Sequence, residues 1–138
     1  MWLKEVHGDL FTAQDNMAHC VSADFRMSAG IAVKFRDKFN HQAELRAEVW
    51  GVGQVARKQT GSRYVFYMVT KRVYHRKPTY RSLRCALVEL ARWVELLGLR
   101  TLAIPPISCV RDKLHWPTVR GMIMEVFDGI NIGITVYH

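Results

Sequence analysis

No Asp or Glu occurs between Val49 and Val88, although nine of the chain's 20 Lys and Arg residues do. The remaining 11 basic residues nearly balance the 12 acids, so the formal net charge of +8 arises in this one window. Such a segment is either a solvated basic face or a surface that draws a polyanion, a dinucleotide-like ligand or a nucleic-acid strand. Charge alone does not choose between them.

Other absences exclude whole classes of protein. The three cysteines, Cys20, Cys85 and Cys109, form no CxxC pair, and the six histidines show no HExxH pattern. A disulfide framework or a structural zinc site would need paired residues, so a reducing compartment and no metal are expected. No apolar run approaches the roughly 18 to 20 residues that cross a bilayer, and Asp9 interrupts the start too early for a leader. The expectation is an intracellular protein, cytoplasmic or nuclear, with no membrane partner. There is no G-x-S-x-G elbow and no P-loop. Repeats, low-complexity stretches and linkers are also missing, so residues 1–138 read as one domain, expected to be monomeric.

What is present is alternation. Leu3–Val6 and Met17–Val21 are strand candidates, and Ile31, Ala32, Phe35 and Phe39 share one helical face from about Ala29. A second helix is expected over Ala43–Trp50, stopped by Gly51 and Gly53. Gln54–Gln59 and Tyr64–Val69 flank a Thr60-Gly61-Ser62 turn. The second of these is apolar at every position, as a central strand covered on both faces would be. A long helix is expected from about Thr79 to Leu97, closed by Gly98. Thr101–Ile104 is a short buried strand, Pro117 opens a helix running toward Gly129, and Asn131–Tyr137 is a closing strand. The order implies an α/β protein: a three-layer α/β/α sandwich around a mixed, mostly parallel sheet. Ligands in such sheets bind beyond the carboxyl ends of the strands.

Three strand ends carry chemistry-bearing residues. Ser22 to Gly30 leads into a helix whose small start, Ser28-Ala29-Gly30, suits a phosphate on free backbone amides. Small residues also open helices simply to pack them on a sheet. Lys71 follows the central strand, where it is either a solvated cation, a phosphate clamp or a nucleophile. After Pro105-Pro106, Asp112 is either a general acid or base or the partner in an Asp–Arg surface pair, with Arg111 and Lys113 within reach of phosphate. Cys109 with His115 invites a nucleophile reading, but a buried structural cysteine suits the residue better.

The blocks Gly8-Asp9-Leu10-Phe11, Ala18-His19-Cys20-Val21-Ser22, Arg26 to Ala32, Thr70-Lys71, His75 to Tyr80, and Cys109 to Asp112 with Leu114 and Trp116 together resemble a macro domain. The likeness is to the branch that includes terminal ADP-ribose protein glycohydrolases and macro-domain antitoxins reversing DNA ADP-ribosylation. It runs from Val6 to Tyr137. The resemblance implies an α/β/α macro-domain sandwich and an ADP-ribose-binding hydrolase that frees mono-ADP-ribose from acidic residues and deacylates O-acetyl-ADP-ribose. It needs no cofactor and no metal.

Carried over by position, the resemblance implies that Asp9 accepts the adenine amino group, with Leu10 and Phe11 beside the base. Ser22 would lie near the distal ribose. Met27, Ser28, Ala29, Gly30, Ile31 and Ala32 would line phosphates and ribose, faced by Ile107, Ser108, Cys109, Val110 and Arg111. Lys71 and Asp112 would be the catalytic pair. Two alternatives remain: a reader that binds ADP-ribose without cleaving it, and a hydrolase acting on ADP-ribosylated DNA or RNA through the basic segment 57–84. One departure stands out. The branch usually reads Gly-Cys-Gly-Leu-Asp where this chain has Ser108-Cys109-Val110-Arg111-Asp112, so a positive φ at Val110 would strain a β-branched residue.

Overall fold

A computed structural model describes all 138 residues. The strands are β1 (Trp2–Val6), β2 (Met17–Ser22), β3 (Val55–Thr60), β4 (Arg63–Lys71), β5 (Thr101–Ile104) and β6 (Gly133–Tyr137). The helices are α1 (Ile31–Phe39), α2 (Gln42–Ala47), α3 (Tyr80–Leu97) and α4 (Trp116–Val126). A single 3-10 turn at Leu10–Thr12 joins β1 to the rest.

The six strands form one sheet in the order β1-β6-β5-β2-β4-β3. Every neighbouring pair is parallel except the β3–β4 hairpin. The continuous apolar run of β4 is explained by its position. Phe66 and Met68 enter the core beneath α3 and α4, while Val65, Tyr67 and Val69 enter the opposite core, which holds Phe35 and Phe39 of α1 and Leu45 of α2. Residues of alternate parity face opposite sides of a strand, so burial on both faces demands an apolar residue at each position. This is the expected three-layer sandwich.

The ends of the helices follow local chemistry. Thr79 caps α3 through a capping box: its side chain accepts from the Ser82 amide, and the Ser82 hydroxyl accepts from the Thr79 amide, both at 3.0 Å. Gly98 closes the helix at φ 63°. Helix α2 is shorter than the sequence suggests, ending at Ala47 rather than Trp50. Val49 is 98% exposed there, so no core contact repays holding a β-branched residue in a helical turn. Strand β4 in turn runs two residues past Val69, making Lys71 its last residue rather than part of the loop that follows.

Candidate active site

A cleft of about 660 Å³ opens where the carboxyl ends of β1, β2, β4, β5 and β6 meet, the edge at which a sheet of this type binds ligands. Its walls come from segments far apart in sequence: 8–11, 19–22, 27–32 and 105–112, joined by Lys34, Lys71, Tyr74, Tyr137 and His138. All the proposed site residues line it except Cys109.

At one end, Asp9 caps the 3-10 turn by accepting the Phe11 amide at 3.0 Å. Phe11 stands edge-on to Phe35 of α1, ring centres 4.9 Å apart, and Leu10 is buried below. Here the sequence reading missed Tyr137 and His138. They reach the cleft because β6 pairs with β1, and the Gly8 amide donates to the His138 carbonyl at 3.2 Å. That neighbourhood comes from strand order, which no local pattern announces.

The middle wall is the bent segment between β2 and α1. Phe25 and Met27 both adopt φ 48°, an uncommon conformation for non-glycine residues. The bend is held from outside: Gln42 Nε2 donates to the Phe25 and Arg26 carbonyls at 2.9 and 2.8 Å, while the Phe25 ring is fully buried. Gly30, at φ 62° and ψ −147°, occupies a region essentially restricted to glycine and is the residue before α1. No side chain caps this helix. The Val33 amide bonds the Gly30 carbonyl at 3.2 Å, whereas the Ile31 and Ala32 amides ahead of it have no intrahelical acceptor and so can receive an anion, with Lys34 one turn further along the same wall.

A second latch ties this segment to the loop after β4. Asp24 accepts from the Ser22 hydroxyl at 2.5 Å, the Tyr74 amide at 3.2 Å and the Arg26 amide at 3.3 Å. Burial works to raise the Asp24 pKa, but these hydrogen bonds outweigh it and hold the carboxyl below its ordinary value. Arg26 lies over the Tyr74 ring at 4.3 Å, and Tyr74 faces the cleft.

At the other end Lys71 Nζ donates to Asp112 Oδ1 at 2.8 Å. Their side chains are only 16% and 12% exposed. The pairing depends on β2 as well. A register shift between Val21 and Ser22 sets Ser22 opposite Lys71, and the Ala23 amide then bonds the Lys71 carbonyl at 2.8 Å.

The loop carrying Asp112 departs from expectation in two ways. Val110 does not take a positive φ; the left-handed residues are Ser108 at 60° and Lys113 at 58°. Val110 is 72% exposed on the rim, so the strain anticipated for it is absent. Cys109 packs its side chain on the α3–α4 core, away from the cleft. Burial pushes its thiol up to about 11, and His115 is exposed with its amide bonded to the Tyr80 hydroxyl, so no thiolate nucleophile is formed here. Cys20 lines the cleft and accepts from the Ser108 hydroxyl at 3.5 Å, and burial drives it to about 12. No group of three or more His, Cys, Asp or Glu side chains could hold a metal ion.

The basic window does not remain one surface. Lys58 is paired with Glu44 and Glu48, Arg84 with Glu125, and Arg57 lies over Trp93 on the far side of the hairpin. Arg63 donates to the Ala13 carbonyl at the opposite end of the sheet. Lys71, Arg72, Arg76, Lys77 and Arg81 lie on or after the end of β4, and of these only Lys71 pairs with a carboxylate.

Comparison with known proteins places this arrangement. ADP-ribose glycohydrolase OARD1 of Homo sapiens is 42% identical over 134 residues, which cover 96% of this chain and 88% of that protein. The Bos taurus protein of the same name is 41% identical over the same share. A DNA ADP-ribosyl glycohydrolase of Thermus aquaticus is 26% identical across 98% of this chain and 40% of its own length. Among solved structures, the macrodomain of Thermus aquaticus DarG superposes with a TM-score of 0.90 at 22% identity, covering 99% of this chain and 97% of that one. Thermosipho africanus DarTG in complex with ADP-ribose gives 0.88 at 17% identity, over 99% and 41% of the two chains. No family model matches the chain.

Proposed function

The chain belongs to the macro-domain family of ADP-ribose glycohydrolases, and on that premise we propose that it hydrolyses the bond joining mono-ADP-ribose to an acidic side chain. The observation that carries this reading is the Lys71–Asp112 pair, nearly buried at one end of a cleft whose other end is lined by Asp9, Leu10 and Phe11. Adenine sits against Phe11 with its amino group on Asp9, the diphosphate on the amides of α1, and the distal ribose beside Lys71.

The chemistry follows from the pair. The distal anomeric carbon, bonded to both the ring oxygen and the acceptor carboxylate oxygen, is already at the aldehyde oxidation level and so is open to attack by an amine. Lys71, having passed a proton to Asp112, attacks that carbon with its free amine electron pair. The carbon–oxygen bond to the acceptor carboxylate breaks, and the carboxylate departs with its electrons. Asp112 then directs water onto the lysine–ribose adduct, and ADP-ribose and the lysine amine are released. A pure reader of ADP-ribose needs neither side chain, and the same chemistry releases acetate where the acetyl ester is borne on the anomeric carbon.

Calorimetric titration of ADP-ribose into wild type, K71A and D112A tests the reading alongside turnover of a glutamate-linked substrate. Micromolar-range binding by all three, with release of ADP-ribose by wild type only, is expected. Equal release by K71A would refute the covalent role, and no binding by wild type would remove the enzyme reading altogether.

A second reading has its own observation. Arg72, Arg76, Lys77 and Arg81 carry no carboxylate partner and follow Lys71 in the segment from the end of β4 to the first turn of α3, a cationic stretch suited to a nucleic-acid acceptor. Activity on an ADP-ribosylated oligonucleotide that falls steeply with salt, while glutamate-linked turnover does not, would favour it.

A further inference from the structure

We propose that Arg111 is a cationic strap that closes the cleft over a diphosphate, so that the loop after β5 holds its ligand by charge as well as by shape. This rests on the ADP-ribose reading of the cleft and adds a residue role to it.

The geometry begins at Gly30. A Cβ placed on that residue would lie 2.7 Å from Arg111 Cδ and 3.4 Å from its Cγ. The aliphatic stem of Arg111 therefore already rests on the backbone in front of α1. It spans from the β5 loop to Gly30, the residue that precedes α1. Gly30 is required twice over: its φ of 62° and ψ of −147° exclude side chains, and the seat of the arginine leaves no room for one.

The strap is anchored at its base and free at its tip. Lys77 Nζ donates to the Arg111 carbonyl at 3.0 Å, fixing the main chain of the loop to the segment after β4. The guanidinium makes no ion pair, and its sequence neighbour Asp112 is engaged by Lys71. Lys34 on the first turns of α1 is the other cation lining this part of the cleft. A planar guanidinium offers paired N–H donors that match phosphate oxygens, which a lysine at the same position would not. The stem supplies apolar cover on Gly30 while the head reaches the charge, the usual division of labour in a long charged side chain.

The test is ADP-ribose affinity of wild type, R111L and R111K at about 0.05 and 0.5 M NaCl, a range over which the screening length shortens several-fold. Because Arg111 is exposed, all three proteins are expected to fold, and matching thermal melts check this. Wild-type affinity should fall several-fold between the two salts. R111L should bind about tenfold more weakly at low salt, as expected for loss of a charge-assisted phosphate contact, and show a much flatter salt response. R111K should keep the salt response at reduced affinity. If R111L matches wild type in affinity and salt response, the strap is wrong while the ADP-ribose reading stands. If wild type does not bind ADP-ribose, both fall together.

Discussion

Lys71 and Asp112 are 41 residues apart in sequence and 2.8 Å apart in space, joined across the ends of β4 and the loop after β5. Neither belongs to a local motif that would orient it. The contact exists because β2 and β5 are sheet neighbours and β4 lies on the other side of β2.

Replacing Lys71 by Arg keeps the charge and the partnership with Asp112 but removes an amine able to attack carbon. K71R should fold, bind ADP-ribose close to wild-type affinity, and lose turnover by at least about a hundredfold, the scale of a lost catalytic group. Single-turnover assays read this directly. A K71R enzyme within a fewfold of wild type would mean that Lys71 acts only through its charge.

Asp9 holds a turn as well as facing the ligand, and the two roles separate on substitution. D9N keeps an oxygen to accept the Phe11 amide, so the turn survives. D9A loses the cap, at about 1 kcal/mol. Both variants should weaken ADP-ribose binding, because an aspartate matched to the adenine amino group is absent from each. Only D9A should show a lowered urea midpoint, and equal midpoints would show that the cap contributes nothing.

His19 is expected to steepen the acid limb of stability. It is fully buried, stacked on Phe35 at 3.7 Å, and neither ring nitrogen has a partner. Burial pushes its pKa from 6.5 down to about 3. The folded value lies below the unfolded one, so the unfolded chain takes up the proton first. Its stabilisation is complete above about pH 6.5 and declines as pH falls toward 3, by at most about 1.4 kcal/mol per pH unit. His41, also lowered by burial, acts in the same direction. Urea unfolding between about pH 7 and 4 should lose stability less steeply for H19F than for wild type. An unchanged slope would mean that His19 does not control this limb.

Val110 offers a test of the third loop. Since its backbone is not left-handed, V110G should relieve no strain and change stability by no more than about 0.5 kcal/mol. Ser108 is the residue at φ 60°, so S108G is the substitution that removes a left-handed penalty, and it also removes the hydroxyl bonded to Cys20. Denaturant midpoints of the two variants should separate, with V110G at the wild-type value. A clear gain from V110G would contradict the loop conformation.

Much of the molecule was readable from residue order because the signals are local. The two-sided burial of β4, the stripe of α3 with its Thr79 and Gly98 ends, and the Pro117 start of α4 all follow from periodicity, capping and backbone freedom, which act within a few residues. The linked blocks around Asp9, Gly30, Lys71 and Asp112 also marked the walls of the cleft. Tertiary structure alone decided what crosses between elements. It brought Tyr137 and His138 beside Asp9 through the β1–β6 pairing, turned Cys109 into the core, moved the left-handed residue from Val110 to Ser108, and dispersed the basic window over both ends of the sheet. It also laid Arg111 on Gly30. The division has a physical cause: helix and strand patterns record the faces that residues must bury, whereas which loop meets which is set by strand order, and strand order is an energy shared over the whole sheet.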